Sequence, residues 1–353
     1  MNNSVFNKYF LAANSGEGFI SFFKENYDNS WTAYIIKGGA GTGKSTLMRR
    51  FAAKASAKGI RAELCPCSSD PDSLDAVILP DRKIIILDGT PPHAVEPEWP
   101  GISEKIINTG DYWSEDKLKE NREGILAVSA ENKAHHKRAA AYIAAAGQLK
   151  RFSFDRALAL ADLSACFNFG TALAARHIKE IGTKAKEWQR FLGGVTPKGL
   201  LSFDDTLNSF GKKIALRDEY GVAASVVLSA VRDIALSCSH EIITIKNPIL
   251  PSLITDALLI PALDLAFIRE QDKKFESVER RHNLHRFYNA EGIKGAREKM
   301  KFNQKAYHSV ISSAAENLEK AKAAHDRLEK YYIEAMDYER LGKFFDEFLL
   351  NAF

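Results

Sequence analysis

The residues with the clearest capacity for chemistry lie in the stretch GGAGTGKST, residues 38 to 46. Gly38, Gly43, Lys44 and Ser45 fill the pattern G-x-x-x-x-G-K-[ST]. Glycines let the backbone curl so that its N–H groups point at one anion, and the helix that follows adds its positive end. The spacing therefore predicts a loop that binds the phosphates of a nucleoside triphosphate, and we call residues 38 to 45 the P-loop.

Each side chain at the end of this loop has its own expected role. Lys44 would bridge the β- and γ-phosphates, Ser45 would hold Mg²⁺, and Thr46 would contact the α-phosphate. His93, in the stretch DGTPPH, is a further candidate for contact with a phosphate or a substrate. The predicted nucleotide-binding residues are Gly38, Gly39, Ala40, Gly41, Thr42, Gly43, Lys44, Ser45, Thr46 and His93. We expect ATP rather than GTP because the sequence contains no N-K-x-D guanine motif.

A second magnesium ligand is predicted at the end of the apolar stretch KIIILDGT, residues 83 to 90. There Asp88 would reach Mg²⁺ through water, although an aspartate that merely ends a strand is also common. Gly89 follows Asp88 where ring-forming motor ATPases carry a glutamate that activates water. This difference argues against a motor.

The chain repeats itself at a shift of 181 residues. Residues 9 to 23, YFLAANSGEGFISFF, return as RFLGGVTPKGLLSFD at 190 to 204, and DAVILP at 75 to 80 returns as DALLIP at 256 to 261. Two matches at one offset indicate a tandem duplication. We therefore predict one domain over residues 1 to 187, with the P-loop, and a second over residues 188 to 353.

The order of elements is the same in both halves. Each half opens with a strand and a short helix, continues as alternating strands and helices, and ends in a long sequence rich in Ala, Lys and Glu. Alternating strands and helices predict an α/β fold with a parallel sheet covered on both faces. The Ala-rich ends, about 115 to 187 and 292 to 348, predict long helices that pack the halves together.

The acidic stretch CPCSSDPDSLD follows a predicted strand, at the edge of the sheet where ligands of parallel sheets bind. Asp70 or Asp72 could orient water or a substrate hydroxyl as a catalytic group, or could belong to a turn and helix cap. Asp75 recurs as Asp256, which favours a structural role for it. Cys65 and Cys67 with a remote histidine are too few for a metal site, so Mg²⁺ is the only metal expected.

The second half has lost the chemistry of the first. At a shift of 180, Ala224 replaces Lys44, and Asp218 and Glu219 replace Gly38 and Gly39. At a shift of 181, Arg269 replaces Asp88. Carboxylates beside a triphosphate, without a lysine to balance them, oppose binding. We expect this half to keep its strands as a scaffold without a nucleotide site.

Composition limits the remaining classes of function. The 49 Lys and Arg residues exceed the 45 Asp and Glu residues only slightly, so the net charge gives little support to nucleic-acid binding. Residues 269 to 305 contain eleven basic and six acidic residues, which permits a nucleic-acid contact but is more typical of a solvated helical face. Four cysteines and the lack of a signal or membrane-spanning pattern favour a cytoplasmic protein.

The motifs KGGAGTGKST, CSSDPDSLDAVILP, ILDGTPPHAVEPEWPG and IINTGDYW follow NSGEGFISFF in that order. With them the chain resembles a poorly characterised bacterial family of tandem P-loop ATPases, over nearly its whole length and most strongly through residue 113. The resemblance implies two P-loop domains in one polypeptide and ATP binding, and it brings no known substrate. In such proteins the second half can carry its own P-loop, from which this chain departs.

Three functions are consistent with these patterns. The first is a slow, Mg²⁺-dependent ATPase that acts as a switch. In it, nucleotide at Lys44 and Ser45 changes how the two halves pack together and so which partner, still unknown, the protein binds. The second is a small-molecule or nucleotide kinase, although no arginine-rich lid follows the strand that ends at Asp88. The third is a nonenzymatic scaffold that binds ATP. We expect the first.

Overall fold

A computed structural model describes residues 6–92, 94–179, 181–271 and 274–352. The first half contains β1 (Asn7–Lys8), β2 (Ala12–Ser15), β3 (Gly18–Ser21), β4 (Thr32–Lys37), α1 (Lys44–Ala57), β5 (Glu63–Pro66), β6 (Leu74–Leu79), β7 (Ile84–Asp88), β8 (Glu104–Asn108), α2 (Glu115–Glu120), α3 (Arg122–Leu158) and α4 (Leu163–His177). The second contains β9 (Lys186–Arg190), β10 (Gly193–Thr196), β11 (Gly199–Ser202), β12 (Lys212–Arg217), α5 (Val222–Ser237), β13 (Glu241–Lys246), β14 (Thr255–Ile260), β15 (Leu265–Glu270), β16 (Arg280–Asn283), α6 (Ala290–Ala335) and α7 (Tyr338–Asn351).

Each half is built on a six-stranded sheet of the same topology. The strand order is β1-β5-β6-β7-β4-β8 in the first half, and β9-β13-β14-β15-β12-β16 in the second. Long helices follow each sheet, so the predicted α/β fold with two tandem sheet units is confirmed.

One strand in each half departs from the parallel sheet that the alternation of strands and helices predicts. The repeated apolar strands β6 and β14 run antiparallel to both of their neighbours, while the other pairings are parallel. Residues 67 to 73 precede β6 and residues 80 to 83 follow it. Both connections are shorter than the crossover of a dozen or more residues that a parallel pairing requires, so the strand must turn back on its neighbours.

The opening segment of each half also differs from the predicted strand and short helix. Between the first strand and the 3₁₀ turn, each half inserts an antiparallel hairpin, β2–β3 or β10–β11. Gly18 and Gly199 occupy the turns with φ of 101° and 90°, a backbone region that favours glycine. This requirement explains why the repeat preserves both glycines.

The long helices α3 and α6 pack against each other in antiparallel fashion. Asn132 on α3 donates to the carbonyl oxygen of Ala321 on α6 at 2.8 Å, and Asn303 on α6 donates to Ser153 on α3 at 3.3 Å. The predicted long helices that pack the two halves together are therefore confirmed.

Beyond these two helices the halves exchange their last helices. The apolar side chains of α7, Leu341, Phe345 and Leu349, share a core with Leu47 and Phe51 of α1 in the first half. In the same way α4, at the end of the first half, packs against α5 of the second half. The first sheet is therefore covered partly by residues from the end of the chain.

In the part of the chain that the structure describes, no helix combines the length and apolar character needed to cross a membrane.

Candidate functional site

The P-loop connects the carboxyl end of β4 to the start of α1. Gly43 has φ of 84° and is the N-cap of α1, which begins at Lys44. The Lys44 ammonium folds back over the loop and donates to the carbonyl oxygens of Gly38 at 3.1 Å and Gly39 at 2.6 Å. The loop thus curls around the position of the lysine amine, as the sequence pattern predicts.

The first turn of α1 presents its backbone N–H groups at this loop. Within the described residues, the amides of Lys44, Ser45 and Thr46 have no acceptor, whereas the Leu47 amide bonds to the carbonyl oxygen of Gly43. A helix N-terminus with free amides attracts anions because the amides and the helix dipole act together. These atoms fit a phosphate group.

Asp88 lies at the end of β7, beside Lys44. Its carboxylate is 3.7 Å from the Lys44 ammonium and accepts hydrogen bonds from the backbone and side chain of Thr90, at 2.9 and 2.6 Å. Burial raises the pKa of Asp88 above its ordinary value, against the opposite effects of the Lys44 charge and the Thr90 hydrogen bonds. The predicted lysine and carboxylate of a magnesium–phosphate site are therefore adjacent.

Thr109 is a site residue that the sequence reasoning missed. Its hydroxyl is 3.0 Å from the Lys37 carbonyl oxygen and 2.9 Å from the Thr42 hydroxyl, which donates to the carbonyl oxygen of Gly39. A Cβ added at Gly38 would lie 1.9 Å from the Thr109 oxygen, so the loop needs glycine there. Thr109 follows β8 directly, and the rule that ligand sites gather at the carboxyl ends of parallel strands could have found it.

The carboxylates of the β5–β6 connection have different partners. Asp70 has one carboxylate oxygen 3.7 Å from the Lys322 ammonium on α6, and its other oxygen is buried with no hydrogen-bond partner among the described residues. Asp72 is exposed and pairs with Lys198 of the second half at 3.1 Å. The Asp72 carbonyl oxygen also accepts a hydrogen bond from Arg49 of α1.

Two further candidates have different outcomes. Asp75 is buried and forms a side-chain hydrogen bond with the Cys67 thiol. Burial raises the pKa of this thiol well above its usual value. His93 lies outside the described residues. Within the described residues no group of three His, Cys, Asp or Glu side chains is arranged to hold a metal ion.

The second half preserves the register of the first at the corresponding turn. Ser45 accepts a hydrogen bond from the Leu74 amide at 3.0 Å, and Ser225 accepts one from the Thr255 amide at the same distance. This pair of bonds aligns the helices at a shift of 180 residues, which places Ala224 at the position of Lys44. Asp88 pairs with Ile36 of β4, and Arg269 pairs with Leu216 of β12, so Arg269 occupies the position of Asp88.

In the second half, side chains bond the two amides that correspond to those of Gly43 and Lys44, which have no acceptor among the described residues of the first half. The Ala224 amide donates to the Asp218 carboxylate at 2.9 Å, and the Ala223 amide donates to the Tyr288 hydroxyl at 2.9 Å. That hydroxyl in turn donates to Asp218, which is fully buried. The anion position of the second half is therefore filled by its own residues.

The P-loop of the first half is contacted from outside by the junction of α6 and α7, residues 329 to 345, which we call the elbow. The Tyr332 ring lies so close to Gly39 that a Cβ there would be 2.8 Å from it. The Tyr338 hydroxyl donates to the Gly41 carbonyl oxygen at 2.6 Å. The backbone of Glu329 also lies against Gly41, since a Cβ there would be 3.0 Å from the Glu329 carbonyl oxygen. The sequence pattern gave no sign of these contacts, because the elbow belongs to the second half of the chain.

A cavity of about 350 Å³ lies where α3 of the first half meets the second half, apart from the P-loop. It is bounded by α3, α6 and the β10–β11 hairpin, mostly by apolar side chains. Arg269 and Asp256 at its edge are 2.6 Å apart and neutralise each other.

Part of the basic stretch from residue 269 to 305 is also neutralised internally. Arg269 pairs with Asp256 at 2.6 Å, and Arg281 pairs with the buried Glu270 at 2.7 Å. Arg286 lies over the rings of Phe169 and Phe287. These three cations serve packing within the chain, which weakens the argument for a nucleic-acid surface.

Comparisons with family models, with curated proteins and with solved structures gave no match for this chain.

Proposed function

We propose that this chain is an ATP-binding protein that hydrolyses ATP slowly with Mg²⁺ and acts as a nucleotide switch between its two halves. The observation that carries the proposal is the difference between the two helix N-termini. The amides of Gly43 and Lys44 have no acceptor among the described residues, whereas those of their counterparts, Ala223 and Ala224, are bonded to Tyr288 and Asp218. One half is thus prepared for an external anion and the other is not.

The residues present fit a magnesium–nucleotide group. Lys44 supplies a cation for the phosphates, and Asp88 and the Ser45 hydroxyl supply oxygen atoms for Mg²⁺. The bound metal would neutralise charge on the phosphates. Gly89 follows Asp88 where fast motor ATPases have a glutamate, and the unpaired oxygen of Asp70 is the remaining candidate for orienting water. These features support slow hydrolysis.

Nucleotide binding to purified protein tests the proposal. Lys44→Ala should abolish binding of fluorescent methylanthraniloyl-ATP, because the loop loses the cation that faces the phosphates. Lys58→Ala, which removes the same charge from the exposed far end of α1, should bind as the wild type does. Binding that survives Lys44→Ala would show that the site is elsewhere.

A kinase is the second candidate, because one structural observation favours it. A kinase must shield the transferred phosphate from water, and the elbow provides a cover over the P-loop that the sequence alone did not indicate. Measuring ADP formation against a panel of nucleosides and metabolites separates the two functions. Acceptor-dependent ADP formation with a phosphorylated product would reject the switch, and binding without any turnover would indicate a scaffold.

A further inference from the structure

The elbow brings a carboxylate to the loop that would bind phosphate. Glu329 is on α6, and both its backbone and its side chain lie against Gly41 of the P-loop. A Cβ added at Gly41 would be 3.0 Å from the Glu329 carbonyl oxygen, so the helix itself is in contact with the loop. The Glu329 carboxylate lies near the amide of Gly41, which belongs to the phosphate-binding loop, and this N–H helps to lower the pKa of the carboxylate.

Neighbouring side chains hold Glu329 in its charged form. His325, one turn before it, is 3.4 Å from the carboxylate. Contact with His325 has the largest effect and lowers the pKa of Glu329; burial opposes it, and the Gly41 amide and the charge of Lys322 lower the pKa further. The loop therefore faces a negative charge at neutral pH.

The second half contains a related arrangement in a permanent form, at the amide that corresponds to that of Lys44. There the Asp218 carboxylate accepts from the Ala224 amide and is fully buried, so no ligand can reach that amide. The Glu329 side chain keeps 37% of its surface exposed, and it comes from a different half of the chain. A carboxylate that is exposed and attached to a separate element can be displaced.

We propose that Glu329 is a built-in competitor for phosphate, so that nucleotide binding at the P-loop displaces its carboxylate and loosens the elbow from the first half. This inference rests on the proposed function, and it names the element that would move. The phosphates and Glu329 are both anions that require the same backbone donor, and their charges repel. Tyr338 and Tyr332, which contact Gly41 and Gly39, would lose their contacts together with Glu329.

The test compares Glu329→Gln with Glu334→Gln in the full-length protein. Both variants remove one negative charge from α6, but the exposed Glu334 side chain has no described contact with the P-loop. Glu329→Gln should lower the Kd for methylanthraniloyl-ATP about five- to tenfold, because a competing hydrogen bond to a charged, partly exposed group contributes on that order. Glu334→Gln should leave the Kd within about twofold.

Amide hydrogen exchange gives a second readout that does not depend on affinity. In the wild type, a nonhydrolysable ATP analogue with Mg²⁺ should speed exchange in α7, and in Glu329→Gln exchange there should be faster before nucleotide is added. Equal affinities for all three proteins and unchanged exchange in α7 would overturn the inference while leaving the nucleotide site intact. If the wild type binds no nucleotide, the proposed function fails and the inference fails with it.

Discussion

Phe10 and Phe191 pair with each other through their backbones: the Phe10 amide donates to the Phe191 carbonyl oxygen at 2.8 Å, and the Phe191 amide donates back at 2.9 Å. The two residues are 181 positions apart, which is the offset of the repeat, so each pairs with its own counterpart. Their side chains also make equivalent contacts: Phe10 packs on Phe203 at 4.6 Å, and Phe191 packs on Phe22, the counterpart of Phe203, at 4.8 Å between ring centroids. A local two-fold axis therefore passes between Phe10 and Phe191, and the halves meet as the subunits of a symmetric dimer do.

A buried ion pair next to this axis predicts a large loss of stability on mutation. Arg190 of the second half is 2.6 Å from Glu63 of the first, and each side chain is only 3% exposed. Removing one partner of a buried pair leaves an uncompensated charge, so Glu63→Gln should lower the free energy of unfolding by about 3 kcal/mol. Urea denaturation followed by circular dichroism measures this loss. The exposed pair Glu115–Lys119 supplies the control, since Glu115→Gln should cost less than about 0.5 kcal/mol.

Similar losses in the Glu63 and Glu115 variants would mean that the interface does not depend on the Arg190 pair.

The close contact between Gly38 and Thr109 predicts that the P-loop does not tolerate a side chain at residue 38. Gly38→Ala should lower the free energy of unfolding by about 1–3 kcal/mol, because its Cβ would overlap the Thr109 hydroxyl, and should weaken ATP binding. Gly342→Ala is the matched control: a Cβ there meets no atom, and alanine should stabilise α7 by up to about 1 kcal/mol. Thermal unfolding distinguishes the two variants, which should shift Tm in opposite directions.

The burial of Asp88 predicts that its replacement by asparagine makes the fold more stable but weakens nucleotide binding. Burial raises its pKa in the folded protein, so the folded state disfavours the charged form relative to the unfolded chain. Asp88→Asn should therefore raise Tm at pH 8, where the wild-type carboxylate is charged, and the difference should shrink as pH falls through the folded pKa. The same variant should bind Mg²⁺–ATP more weakly than the wild type. A Tm that falls at pH 8 would show that the pairing with Lys44 outweighs burial.

The filled anion position of the second half predicts that lysine alone cannot revive it. The Lys44→Ala/Ala224→Lys variant should not bind methylanthraniloyl-ATP, because Asp218 and Tyr288 already occupy the amides of Ala224 and Ala223. The Lys44→Ala background ensures that any signal comes from the second half, and circular dichroism checks that the protein is folded. Recovered binding would contradict our account of how this half lost its site.

The alignment of the two halves could be predicted from the sequence, because corresponding strands and turns keep similar residues at a nearly constant offset. The match of DAVILP with DALLIP placed β6 on β14, and the shift of 180 at the next helix placed Ala224 at the position of Lys44, as the bonds to Ser45 and Ser225 bear out. Loop lengths also indicate the direction of β6, because the connections on either side of it are shorter than the crossover that a parallel pairing requires.

The sequence by itself determined the local parts of the candidate site, namely the curled P-loop, the helix that follows it and the aspartate at the end of β7, because neighbouring residues and turn geometry fix them. Only the tertiary structure decided what covers the loop. Tyr338 meets Gly41 across 297 positions of chain, and Tyr288 meets Ala223 across 65. Such contacts depend on how α3 and α6 cross between the halves, and no spacing within either segment encodes that crossing.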